Sequence, residues 1–253
     1  MGSSHLVRAC LGAAALVCIP ALGPAQTVDD IVSKHIEARG GMDKIKAIQT
    51  LKITRTIATG IGNNVRVIVY KKRPNLYRGE QGPTTPGAPM TPRGVNAEDA
   101  WDTDQGGKIV LRPEPSESES REFDADFDGL LVDWKEKGHT VTYEGREPMP
   151  AGDALKLKVT TKSGAERLVY LDATTYLDRR HTGVLTLPNA RRDVVIDFSN
   201  WQEVSGVKFP FDINEDRTGG PIAQSLVIYT EKIEANVPMD DSLFATPKGS
   251  SPN

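Results

Sequence analysis

Cysteine is nearly missing from this 253-residue chain. Its two cysteines, Cys10 and Cys18, both fall in a short apolar run near the start. That excludes a disulfide framework and a cysteine-based zinc site. Surplus positive charge is missing too. The net charge of -3 argues against a nucleic-acid binder that neutralises phosphates. Histidine is sparse. His35, His139 and His181 lie far apart without ligand spacing and read as ordinary surface or helix polarity. There is no GxSxG, no P-loop and no GxGxxG after a strand. Acidic residues are plentiful, yet no pair stands out for glycoside chemistry. No internal repeat is visible, which removes propellers and solenoids. What remains is ordinary: 38% hydrophobic and 26% charged residues, the balance of a folded soluble protein rather than a disordered one.

The first 25 residues read as a targeting segment. Arg8 precedes the apolar stretch 9–22, and Gly23 and Ala25 supply the small residues of a cleavage site. The stretch is shorter than the roughly 20 residues a membrane helix needs. Cys18 lacks the leucine and small residues of a lipoprotein box, having Ala15 and Val17 instead. The expectation is a signal peptide over 1–25, cleaved on export, and a single soluble domain over 26–253.

Val28, Ile31, Val32 and Ile36 recur at helical spacing after Thr27, a candidate N-cap, and Gly40-Gly41 ends that helix. Residues 42–48 suggest a second short helix. From Leu51 the period becomes two: Leu51, Ile53 and Ile57; Val65, Val67 and Val69; Leu155, Leu157 and Val159; Val194, Ile196 and Phe198; Val207, Phe209, Phe211 and Ile213. Alternation with short turns predicts an antiparallel sheet of ten or eleven strands with one buried face. The interruption at 112–137 has Pro113 and Pro115, a capping-box spacing at Ser116 and Glu119, and Phe123, Phe127, Leu130, Leu131 and Trp134 on one helical stripe. Gly129 weakens that helix and Gly138 suits its end. Asp124, Asp126 and Asp128 imitate the start of a calcium loop, but its twelfth position is Lys135, not glutamate. The prolines at 83, 86, 89 and 92 fit a polyproline turn or a solvated loop. A sheet with one apolar face needs a cover. Two small helices leave two readings open, a filled core or a lidded cavity.

Lys72-Arg73-Pro74-Asn75-Leu76-Tyr77 is similar to the KRPN-type strand junction of periplasmic outer-membrane lipoprotein carriers, the LolA-like family. In the same order come Ala38 to Gly41 after the first helix, Trp101, the Asp128-Gly129-Leu130-Leu131 segment, Tyr170-Leu171-Asp172 with Thr175-Tyr176-Leu177, Gly206 to Pro210, and Leu243-Phe244-Ala245 with Pro247. The resemblance spans nearly all of 27–248. Departures are Glu98-Asp99-Ala100 before the tryptophan and the proline-rich insertion at 82–94.

The resemblance implies a mainly β fold, an incomplete antiparallel half-barrel whose concave apolar face is lidded by helices. It implies a periplasmic carrier that binds acyl chains of lipoproteins or lipids and ferries them toward the outer membrane, between an inner-membrane donor complex and an outer-membrane acceptor. A lipid-binding sensor or accessory protein of the same fold is the alternative, and an exported hydrolase is a more distant one. The chain is expected to be a monomer without cofactor, metal or catalytic residues and without a nucleic-acid partner. The expected cavity is Leu51, Ile53, Val65, Val67, Val69, Leu157, Val159, Ile196, Phe198, Phe209 and Phe211. The expected lid is Phe123, Phe127, Leu130, Leu131 and Trp134. By motif match Arg73 becomes a latch that hydrogen-bonds lid backbone.

Overall fold

The computed structural model describes residues 26–252, apart from 60, 61, 63, 188, 189, 220–223 and 250. The expected signal peptide at 1–25 lies outside the described residues. Helix α1 (Val28–Arg39) begins as its sequence predicts. Thr27 accepts a hydrogen bond from the Asp30 backbone N–H, and the Asp30 carboxylate accepts one from Thr27, a closed capping box. Its buried side chains are Ile31, Val32 and His35. Gly40 ends it at φ 130°, and a Cβ there would stand 2.1 Å from the Gly206 carbonyl oxygen, so only glycine fits. Helix α2 (Met42–Ala47) follows.

Among the described residues fourteen strands form one sheet. They are β1 (Thr50–Thr59), β2 (Asn64–Lys72), β3 (Leu76–Pro83), β4 (Thr91–Val95), β5 (Ala100–Thr103), β6 (Ile109–Leu111), β7 (Thr140–Met149), β8 (Gly152–Thr160), β9 (Glu166–Asp172), β10 (Asp178–Leu187), β11 (Ala190–Val204), β12 (Val207–Thr218), β13 (Gln224–Ala235) and β14 (Ser251–Pro252). The spatial order is β14-β6-β5-β4-β3-β2-β1-β13-β12-β11-β10-β9-β8-β7. Two meanders, β1–β6 and β7–β13, are thus joined by the pairing of β1 with β13. All pairs are antiparallel except β14 with β6. Among the described residues the two margins do not pair with each other, and the sheet stays open. The count exceeds the sequence expectation because β5, β6 and β14 are four residues or fewer, too short to show a period.

Alternation buries one face, as the period predicts. Leu51, Ile53 and Val69 pack with Tyr77, Val95, Ile45 and Ile48 in one cluster. Leu155, Leu157, Val159, Val169 and Leu171 pack with Ile31 and Val32 in a second. Both helices therefore lie on the same, inner face. Trp101 faces the other way. It sits opposite Gly94, where a Cβ would come within 2.7 Å of the indole, and it is fully buried. On that outer side the Asn96 amide donates to Phe244 O and Thr246 Oγ1, pinning the C-terminal segment.

The segment between β6 and β7 departs from expectation. It is not one amphipathic helix. Helix α3 (Ser116–Glu119) is a single turn that widens to a π turn over Ser120–Asp124, and turns continue to Gly138. The capping box does not form: Pro115 holds the cap position and the buried Ser116 hydroxyl has no partner. Gly129 and Asp133 have positive φ, 91° and 52°, which no continuous helix admits. Ala125 and Val132, off the expected stripe, are fully buried.

Candidate functional site

This irregular segment lies across the inner face from one wing of the sheet to the other. On one side the Arg121 guanidinium donates to the carbonyls of Asn96 and Glu98, beside β4 and β5. On the other, Glu119 accepts from the backbone N–H and hydroxyl of Thr186 on β10, and Glu122 accepts from Ser163 in the β8–β9 turn. Between these anchors the lid presents its apolar side chains inward. Phe127 enters the first core cluster and Leu130 and Leu131 the second, while Phe123 and Trp134 pack against the second half-buried.

The expected cavity residues fall into two groups. Leu51, Ile53, Val69, Leu157 and Val159 are core beneath the helices and lid, with Val67, Phe209 and Phe211 packed against it. A void lined by Arg39, Ile45, Phe127, Asp128, Val207 and Phe209 among others is about 10 Å³, room for one water, and a wider, open hollow of about 540 Å³ runs along the lid past Ser118, Arg121, Asp126, Lys137 and His139. Val65, Ile196 and Phe198 belong to neither cluster and are half-buried, further along the strands. Register joins them: Val65 pairs with Ile57, Ile57 with Ile228, Ile228 with Ile213 and Ile213 with Phe198. Directly paired residues share a face, so an apolar row crosses five strands on the inner face beyond the lid.

Arg73 sits at the centre of the lid's attachment, with a correction to its partners. Its Nε donates to Ile48 O at 2.7 Å and Nη2 to Ile45 O at 2.8 Å, both carbonyls at the end of α2. The lid is gripped through a side chain: Nη1 and Nη2 donate to the two carboxylate oxygens of Asp128 at 2.7 and 2.6 Å. The guanidinium also stacks on Phe127, 4.3 Å from the ring centre. Lid backbone is held by others, Arg39 on Asp128 O at 2.6 Å and Lys71 on Asp126 O at 2.7 Å. Two basic side chains compete for Asp128, since Lys46 lies 3.0 Å from it and also pairs with Asp133. Burial pushes the Asp128 carboxyl up, but hydrogen bonds from Arg73 and Lys46 outweigh it and hold it below the usual carboxylate range.

Sequence reading did not single out Asp128 as the partner of Arg73. The signal was the acid at every second position, Asp124, Asp126 and Asp128, which resembles a calcium loop. In the fold each acid meets cations instead. Asp124 lies 3.7 Å from Arg93 and 3.8 Å from Arg112, and Asp126 lies 2.6 Å from Lys137. Among the described residues no three His, Cys, Asp or Glu side chains gather as a metal site.

Two histidines are also misplaced by sequence reading, being buried rather than superficial. His139 is tucked under Leu130 O. His35 directs Nδ1 at Tyr176 O (2.9 Å) and Nε2 toward Asp178 (3.8 Å), which His181 contacts at 2.8 Å. Burial lowers the His35 pKa, with Arg39 adding to the effect and Asp178 opposing it. Burial would raise the Asp178 carboxyl, but His35 and His181 hold it far below its ordinary value. This cluster ties α1 to β10.

No family model and no curated protein matches the chain in sequence. Solved structures match it in shape. A LolA superfamily protein from Nitrosomonas europaea is 13% identical, with a TM-score of 0.58 over 87% of this chain and 98% of that one. An outer membrane lipoprotein-sorting protein domain from Vibrio parahaemolyticus is 12% identical, with a TM-score of 0.55 over 85% and 94%. A DUF1329 family protein from Desulfovibrio piger is 13% identical, with a TM-score of 0.57 over 87% and 98%. At such identities the likeness is one of fold. The chain has the LolA-like fold, the open antiparallel sheet with a lidded face that the sequence resemblance implies.

Proposed function

We propose that this protein is a periplasmic, non-catalytic carrier that takes up acyl chains of lipoproteins or lipids on its inner face and moves them toward the outer membrane. The observation that carries this reading is the lid. An irregular apolar segment is held over an apolar sheet face by a few polar contacts centred on Arg73 and Asp128. Phe127, Leu130 and Leu131 occupy the surface an acyl chain would cover. Each methylene contributes roughly 0.8 kcal/mol when it leaves water, so an acyl chain displacing these side chains exchanges one apolar burial for another. The remaining cost of opening is the polar node, whose charge-assisted hydrogen bonds are worth about 1.5–3 kcal/mol each. A donor that loads the face and an acceptor that empties it then need only act on the lid.

The packing of Phe127, Leu130 and Leu131 into the core clusters favours a second reading, a lipid-responsive sensor or accessory protein of the same fold. Mass spectrometry of organic extracts from the purified protein separates the two. Acyl lipids in near-stoichiometric amount support the carrier. An empty extract, with no uptake of a fluorescent fatty-acid ester by the pure protein, rejects it.

A further inference from the structure

Arg55 is a basic side chain on the inner face that the lid leaves unanswered. Lid acids meet Arg93, Arg112, Lys137, Arg73 and Lys46 in turn. Arg55 has neither a hydrogen-bond nor an ion-pair partner among the described residues, and its Nε is buried without one. Register sets it opposite Val67 on β2 and Thr230 on β13, with Ile53 and Ile57 two residues to either side. It therefore stands where the lidded core ends, one step from the apolar row Val65, Ile57, Ile228, Ile213 and Phe198. That row spans roughly 19 Å at the usual interstrand spacing, which suits a long hydrocarbon chain. A half-buried cation that has only the Thr230 hydroxyl and the Tyr77 phenol near it, and no anion among the described residues, is costly unless a counter-charge arrives. Burial pulls its pKa down from the ordinary arginine value, as an unanswered charge requires.

Building on the acyl-lipid reading above, we infer that Arg55 receives the carboxylate of a long-chain fatty acid whose hydrocarbon lies along that row. A guanidinium fork matches a carboxylate's two oxygens. Thr230, paired opposite Arg55, adds one buried hydroxyl without a partner, while Val67, Ile53 and Ile57 add no donor; a guanidinium fork and a single hydroxyl match the two oxygens of a carboxylate better than the larger oxygen set of a phospholipid headgroup.

The test uses the full, delipidated protein at neutral pH with a fluorescent polyene fatty acid, its methyl ester and phosphatidylglycerol of matched chains. The acid is expected to bind about 10-fold tighter than the ester, the effect of a single charge-assisted contact. Arg55→Gln should erase that preference and leave ester affinity unchanged, which also shows that the variant is folded. Arg55→Lys should keep part of it. Equal binding of acid and ester by the native protein, or a preference that survives Arg55→Gln, overturns the assignment. An Arg55-dependent preference for phosphatidylglycerol over the acid overturns the choice of carboxylate. Failure of the native protein to bind even the ester rejects the acyl-lipid reading itself.

Discussion

Arg73 makes four hydrogen bonds from one side chain, two to α2 carbonyls and two to the lid's Asp128. Replacing it by leucine removes all four. Replacing Asp128 by asparagine removes the charge and turns one of the two accepting oxygens into an NH2 donor, but leaves the α2 carbonyls bonded. Arg73→Leu should therefore cost about 2–4 kcal/mol in urea unfolding and Asp128→Asn about half that. Both should speed amide exchange over 125–138 while β8 stays protected. Equal exchange in lid and sheet would mean that the lid unfolds only with the whole domain. His35 sets a pH dependence. Its folded pKa lies below the unfolded value near 6.5, so in that window the unfolded chain binds more protons, and stability falls as pH falls through it. Asp178, also lowered, adds loss in the same direction only below its ordinary 3.8. Thermal melts from pH 7.5 to 5 should decline in the native protein and flatten in His35→Gln; parallel declines would place the titration elsewhere.

Elements differ in how far local sequence determines them. Helix α1 was legible because its cap, apolar spacing and terminal glycines all lie within one short stretch. The strands were legible because alternation reports which face is buried. The lid was not, since its apolar residues are buried as the stripe implied but not for the helical reason. Asp124 and Asp128, drawn to Arg93 on β4 and to Arg73 just past β2, override the helical pattern, and those two cations lie far away in sequence. The contact of Arg73 with Asp128 was not legible either, for the same reason. The α1–α2 junction permits a controlled test. Gly40 and Gly152 both have positive φ, 130° and 110°, but a Cβ at Gly152 meets open space. Gly152→Ala should cost only the strain of the backbone conformation, about 1 kcal/mol. Gly40→Ala must also push α1 off the Gly206 carbonyl and should cost clearly more. Equal melting temperatures would show that this junction yields.

At the scale of the molecule, period two says which face a residue takes but not which strand it neighbours. The pairing of β1 with β13, which joins the first strand to one near the end of the chain, could not be read from the sequence, and neither could the apolar row that depends on it. The same topology makes the lid the covalent link between β7, at one margin, and β6, which only the two-residue β14 separates from the other margin. It thus works as a drawstring as well as a cover. The turns at Gly129, Asp133 and Gly138 gather slack, and releasing them lengthens the tether and lets the rim of the half-barrel widen. Under the acyl-lipid proposal, the girth offered to cargo would be set by contour length in this one connection rather than by the area of the sheet. Spin labels at the exposed Gln105 and Thr142, one near each margin, should move apart and broaden in distance distribution when acyl lipid is added. An unchanged distance would mean that the lid swings clear of a rigid rim.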